Sequence, residues 1–205
     1  MNPWFRARLG LIYYDVYTQS KKEKYKDLAI KMSKKATEID SMNPLFSMHY
    51  GHLMLNLNNL EKAEEFYLKS IKMDPELIEV HFNLANIYQR KKDQKNELKH
   101  ALETSKLLDE LEIKNQKNPT NKNKQKISAF QNARITVAKF LLSKQQAYQA
   151  IKIIEKLPTS VEKLELLAEF YTLTNNPTKA TEIYNILNKN LNTSDYNNQI
   201  KSLKK

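Results

Sequence analysis

The chain has 205 residues, 40% of them hydrophobic, with two glycines, no cysteine and a formal net charge of +11. So few glycines exclude glycine-rich phosphate loops and argue against sheets and tight hairpins. The lack of cysteine excludes disulfides, thiolate metal sites and cysteine nucleophiles, and no run of residues approaches the length of an apolar membrane span.

Asn2-Pro3 predicts a helix N-cap with proline at the first helical position. The helix it starts should reach about Gln19, with Trp4, Phe5, Leu9, Ile12, Tyr13, Val16 and Tyr17 as its apolar content. A polar turn follows, then a second helix to about Ile39 that buries Leu28, Ala29, Met32 and Ala36. Residues 44–77 repeat this layout. Met48, Gly51, Met54 and Leu55 recur at helical spacing, Asn58-Asn59 interrupts, and Leu60, Ala63, Phe66, Tyr67 and Ile71 form the next apolar stripe up to Asp74-Pro75. Residues 78–111 give a third pair of helices, with Glu97 where the pattern calls for a small residue. Residues 114–126, KNQKNPTNKNKQK, contain no apolar residue and read as a flexible Lys/Asn-rich loop. A fourth pair spans 131–160 and ends at Pro158. Thr159 and Glu162 suggest a capping box for the fifth, 161–192, whose second helix starts at Asn176-Pro177. The polar tail, 193–205, reads as frayed, with Tyr196, Ile200 and Leu203 spaced for a weak capping helix.

The pairs share a ruler. Twelve residues separate Tyr17 from Ala29, Gly51 from Ala63, Ala85 from Glu97, Ala138 from Ala150 and Ala168 from Ala180. Tyr17, Gly51 and Ala85 are spaced by thirty-four. A single two-helix hairpin cannot bury its own apolar stripe, so repetition at this period implies stacking. The segments Tyr50-Gly51, Ala63, Tyr67 and Asp74-Pro75, then Asn83-Leu84-Ala85-Asn86 with Tyr88, and Leu167-Ala168, Tyr171, Ala180 and Tyr184, resemble the tetratricopeptide repeat family. The resemblance covers roughly residues 10–192. It implies an all-α fold of antiparallel helix hairpins stacked into a right-handed α-solenoid of about five units. Residues 1–113 would hold units one to three, 114–126 the loop, 127–192 units four and five, and 193–205 the tail.

The resemblance also implies that each unit's first helix lines a concave groove able to hold a segment of a partner protein. Counted from the small residue of each first helix, the groove residues are Leu11, Tyr14, Leu45, Met48, His52, Phe82, Asn86, Gln89, Arg90, Ile135 and Lys139. Tyr14, Met48, Phe82 and Ile135 would form an apolar stripe flanked by the donors Asn86, Arg90 and Lys139. Glu162, Glu165 and Glu169 would make the far end acidic. The expected ligand is an apolar or amphipathic peptide with a basic end. The plainer alternative is that these side chains pack against neighbouring helices or a tail folded into the groove. A carboxylate clamp of the kind that holds chaperone C-termini is not expected. Its positions hold Tyr14, Thr18, His49, Glu79 and Asn83, or Met48, His52, Asn83, Asn132 and Thr136 one unit later.

Catalysis has no motif to stand on, so no enzyme and no cofactor is expected. His49 and His52 lie three apart but have no obvious third ligand, so no metal is expected. Residues 113–126 carry five lysines and no acid, the last seven residues carry three lysines, and Lys21 to Lys35 adds five net charges. Such charge is usually a solvated face, and only four arginines are present, so nucleic acid is a weak prospect. A peripheral contact with anionic membrane or nucleic acid through these segments is the alternative function. Homo-oligomers through exposed repeat ends, beginning with Trp4 and Phe5, are a third. High lysine, asparagine and isoleucine usage suggests a bacterial, AT-rich genome. If Met1 is the native start the expected compartment is the cytoplasm; with a targeting segment removed it would be periplasmic or membrane-associated.

Overall fold

A computed structural model of the chain describes residues 2–203. Met1, on which the compartment expectation rests, and Lys204 and Lys205 of the basic tail lie outside the described residues. Twelve helices and no strand occur among the described residues. They are α1 (Pro3–Ser20), α2 (Glu23–Ile39), α3 (Pro44–Asn56), α4 (Leu60–Met73), α5 (Ile78–Arg90), α6 (Gln94–Lys117), α7 (Asn121–Ala129), α8 (Gln131–Ser143), α9 (Ala147–Ile154), α10 (Val161–Leu173), α11 (Pro177–Leu191) and α12 (Asn197–Ser202). They form two compact units, the first ending at Asp93 and the second starting at Gln94. The expected third pair is therefore divided, with α5 in the first unit and α6 in the second.

Local chemistry sets the helix starts. Asn2, Asn43, Asn59 and Asn176 each accept a hydrogen bond from a backbone N–H of the first turn, at 2.8, 3.1, 3.1 and 3.3 Å. Three of these asparagines are followed by proline at the first helical position. The cap of α10 is Ser160, whose hydroxyl accepts from Lys163 N at 3.2 Å, and not Thr159 as expected. Lys163 Nζ then reaches the carbonyls of Leu157, at 2.7 Å, and Glu155, at 3.1 Å, and satisfies the open end of α9.

The hairpin turns share one device. Lys21, Asn58, Lys92, Gln145 and Asn175 each take a left-handed conformation, φ 54–59°, just before the next helix begins. Asn58 and Lys92 are thirty-four apart, which is the repeat period. Lys21 falls three residues earlier than that period would place it, so the first hairpin pairs its helices in a different register. Its close approach is at Gly10, where a Cβ would lie 2.1 Å from Ser33 Oγ. Tyr17, assigned to that role by the ruler, is instead half-buried near the turn, with Lys26 Nζ 5.8 Å from its ring centre. In the second hairpin the ruler holds. A Cβ on Gly51 would lie 2.7 Å from the Tyr67 ring, so glycine alone lets α3 and α4 close.

The first unit's core runs from Ala29 through Met48, Tyr50, Leu53, Met54, Ala63 and Tyr67 to Leu84, Ile87 and Tyr88. Full burial of each such aliphatic or aromatic side chain stabilises by about 1.5–3 kcal/mol. Ser70 Oγ donates to Pro44 O at 2.9 Å and ties α4 to the start of α3. Tyr88 donates to Glu64 at 2.6 Å, and Lys91 pairs with the same carboxylate, so α5 is tied to α4. Desolvation would raise the Glu64 pKa, but Lys91 and Tyr88 outweigh it and hold the carboxyl below its usual value.

The second unit is built differently. Its aliphatic core is Ala138, Leu142, Ala150, Ile154, Leu157 and Leu166 with Phe170. Beside it the Arg134 side chain is completely buried. Its guanidinium donates to Asp109 at 2.5 Å and to Glu112 at 2.7 and 3.0 Å, and Lys156 meets the other Asp109 oxygen at 2.6 Å. This network pins α6 to α8.

The segment expected to be a flexible loop is largely helical, and the tail carries a short helix at the spacing of Tyr196, Ile200 and Leu203. Most of 114–126 is helix: α6 continues to Lys117, Pro119 breaks it, and Thr120 caps α7 by accepting from Asn123 N at 3.1 Å. Lysine and glutamine are good helix formers, and a helix satisfies its own backbone without burying a side chain. The tail also docks. Tyr196 stacks on Tyr184 at 5.7 Å and Ile200 is buried at the end of the second unit.

Candidate functional site

In the first unit, α1 contacts α3, and α3 faces α5, with Glu79 Oε1 3.3 Å from His52 Nε2. These first helices of the hairpins share one face. Leu11 on α1 is 44% exposed, as a side chain offered to a partner must be. Leu45, Phe82 and Asn86 are half-buried, and Gln89 and Arg90 are exposed. Tyr14 and Leu45 pack against the core from outside it. Met48, expected in the apolar stripe, is only 8% exposed and belongs to the core itself. Offsets counted from Tyr17 do not transfer to the first hairpin, whose turn comes three residues early, so Leu11 and Tyr14 belong here only through the packing of Tyr14 on the core and the exposure of Leu11 three residues before it.

The face holds a polar cluster. His52 packs edge-on against the buried Tyr67 ring at 5.4 Å, and His49 stands 6.3 Å from His52. Neither His52 Nε2 nor the Tyr67 hydroxyl makes a hydrogen bond of good geometry, although Glu79 and Asn83 lie beside them. Burial lowers the pKa of His52, with Glu79 opposing and His49 adding to the effect. Burial likewise lowers His49, and Glu79 again opposes. Both rings are neutral at pH 7, so the cluster offers neutral donors and acceptors beside the carboxylate of Glu79. Burial also raises the Tyr67 pKa. The cluster therefore suits hydrogen bonding to a neutral polar chain.

The remaining two predicted residues lie in the second unit. Ile135 packs on its core and Lys139 is exposed. Backbone and Ser160 hydrogen bonds at the start of α10 hold Glu162 below the usual carboxylate value, with Lys139 adding to them, and Lys139 also favours the charged form of Glu169. Burial nevertheless holds Glu169 above the usual carboxylate value. Glu165, expected as part of an open acidic end, accepts from the Tyr196 hydroxyl at 2.6 Å. That bond is the main cause of the Tyr196 pKa being pushed up to about 12. Here the tail does fold onto a predicted groove residue. Sequence reasoning missed Gly10 and Arg134. Gly10 was legible as one of only two glycines in the chain; an arginine in an apolar helix, with Asp109 and Glu112 spaced three apart upstream, was the signal for the other.

Residues 66–100 and 47–77 match two models of the tetratricopeptide repeat. No curated protein matches the chain in sequence. Among solved structures the chain resembles a tetratricopeptide repeat protein from Parabacteroides merdae ATCC 43184, at TM-score 0.62 and 15% identity over 97% of this chain and 72% of that one. It also resembles MamA, at TM-score 0.59 and 15% identity over 88% and 91%. A third likeness is to residues 1–338 of Acl4, the assembly chaperone of RpL4, at TM-score 0.55 and 16% identity over 92% and 75%. At such identities the likeness is one of fold. The repeats support a protein–protein interaction scaffold in general, and repeats of this kind are typically non-catalytic. Residues 47–100 are tetratricopeptide repeats, and the chain that carries them is an all-α protein of the tetratricopeptide repeat fold.

Proposed function

We propose that the face made by α1, α3 and α5 binds a peptide segment of a partner protein, making the chain an adaptor or assembly factor. The observation that carries this reading is the polar cluster beside part-exposed apolar side chains. His52 Nε2 and the Tyr67 hydroxyl are buried and only poorly served by Glu79 and Asn83, and Leu45, Phe82 and Asn86 flank them. A buried polar atom left unpaired costs about 1–3 kcal/mol, so a chain that satisfies it gains directional affinity there. The apolar side chains supply the non-directional part. Reported partners of similar folds do not transfer at these identities, but an assembly chaperone among them is consistent with a scaffold role.

The test is capture from the native organism's lysate at roughly 0.5 M salt, where exposed charge attraction is largely screened. Wild type is compared with Leu11→Asp/Phe82→Ala. Met48 is left alone because it is core. The expected result is a protein retained by wild type and lost from the variant at unchanged melting temperature. Recovery of the same proteins by both forms removes the groove reading. Capture that disappears from both forms as salt rises transfers function to the lysine-rich segments.

A further inference from the structure

A well-formed cavity of the first unit lies away from the cluster just described. It has a volume of about 880 Å³ and sits between α2 and α4, floored at Ser47 of α3 and closed at one end by the turn that leads into α3. That volume lies within the range of about 300–1,000 Å³ in which pockets hold discrete ligands. Its apolar lining is Met42, Phe66 and Met73. Met42 is 78% exposed, the most exposed large apolar side chain described in the chain. An unbranched methionine left open to water beside an aromatic ring makes an adaptable hydrophobic floor.

Its rim is cationic on two walls. Lys34 stands on α2, and Lys69 and Lys72 stand on α4. One acid, Glu38, is itself part of the lining on the α2 wall, but it is engaged by Lys35 at 3.0 Å; Glu65, beside the cavity, pairs with Lys69 at 2.6 Å. Among the described residues neither Lys34 nor Lys72 makes an ion pair. Lys69 also lies 4.2 Å over the Phe66 ring, which joins the charged rim to the apolar floor.

We propose that this cavity is a second docking site, for an acidic segment of a protein partner that inserts one large apolar side chain between flanking carboxylates. Charge complementarity selects this occupant. Ammonium groups on two different helices border one apolar pocket, so a single anionic head meets one wall only. Acidic residues on both sides of an apolar anchor, carried on one extended chain, meet both. The site is independent of the α1–α3–α5 face, because none of its lining residues belongs to the cluster there.

The probe is an array of end-capped hexapeptides with a central leucine, methionine, phenylalanine or tryptophan and zero to four flanking acidic or basic residues. It is read with the full chain, and hits are measured by fluorescence anisotropy. Retention is expected to rise with the number of acidic flanks and to vanish when the central residue is glycine. Met42→Asp and, separately, Lys34→Glu/Lys72→Glu should each weaken the best peptide at least ~10-fold, as loss of a central anchor does. Leu11→Asp should leave it unchanged. All these positions are exposed, so melting temperatures verify that folding is retained. Preference for basic flanks, no retention above the glycine control, or retention lost with Leu11→Asp instead would overturn the proposal. Displacement of the best peptide by equimolar laurate would also overturn it, since the pocket would then be a site for a small anionic amphiphile.

Discussion

The two compact units solve the same packing problem with different chemistry. In the first, α3 closes on α4 because Gly51 has no Cβ and the Tyr67 ring fills the space, and tyrosines carry the seam from Tyr50 to Tyr88. In the second, the seam is aliphatic and the join of α6 to α8 is electrostatic, made by one buried arginine between two part-exposed carboxylates. An aromatic seam tolerates loss of charge but not of shape. An ionic join tolerates a change of shape but not the loss of one partner.

The largest effect should come from breaking that ionic join. Arg134→Ala leaves Asp109 and Glu112 facing a cavity and should cost about 3–5 kcal/mol of stability, read by urea unfolding. Arg134→Met keeps most of the volume but strands the same two carboxylates, and should cost nearly as much. A much smaller loss from Arg134→Met would mean that the space the side chain fills, and not the guanidinium's hydrogen bonds, holds α6 to α8.

Shape is the test for the first unit. Gly51→Ala places a methyl against the buried Tyr67 ring and should cost about 1–3 kcal/mol despite the better helix propensity of alanine. Gly10→Ala meets the hydroxyl of Ser33, and the double variant Gly10→Ala/Ser33→Ala should recover part of the loss by removing that atom, while the backbone of Ser33 and Ala29 stays close at 3.1 and 3.2 Å. Recovery of similar size in Gly51→Ala/Tyr67→Phe would contradict the account, because phenylalanine keeps the clashing ring.

Acidification should also separate the units. His49 and His52 have lowered pKa values in the folded first unit, so the unfolded chain binds protons first as pH falls. Their contribution is intact above the ordinary histidine value of about 6.5 and is lost as pH falls below it, towards their folded values. The slope is at most about 1.4 kcal/mol per pH unit for each ring. Melting temperatures from pH 7.5 to 5.5 should fall less steeply in His49→Gln/His52→Gln than in wild type. Parallel curves would show that neither ring is held neutral by its surroundings.

The smallest effect belongs to the turns. Gln145 adopts φ 58°, a conformation that costs an L-residue about 1–2 kcal/mol and glycine almost nothing. Gln145→Gly should raise the second unit's stability by up to about 1 kcal/mol, less the added entropy of the unfolded chain. Asn58→Gly should gain less, because asparagine already tolerates this region.

Most of the helices were legible in the sequence because their cause is local. Asparagine before proline caps a helix wherever it stands, and apolar residues at helical spacing mark the buried stripe of α4 or α11 without reference to any neighbour. The period of thirty-four identified the second hairpin because Gly51 and Ala63 record in one residue each how closely two helices approach. The first hairpin was misread for the complementary reason. Moving a turn by three residues re-pairs two whole helices while leaving each helix's own pattern intact, so the sequence signals of α1 and α2 are the same in either register.

The candidate face followed the same division. Leu11, Phe82 and Asn86 were legible as helix positions, whereas the burial of Met48 depends on the neighbouring helices that complete the core around it. Composition and periodicity by themselves determined an all-α chain of repeated helix hairpins, since a helix satisfies its backbone within itself. Only the tertiary structure decided that Arg134 would be buried, that the tail would lie on Glu165, and that Met42 would open a cavity ringed by lysines. Each of these depends on which surfaces meet across tens of residues, and no local pattern encodes that meeting.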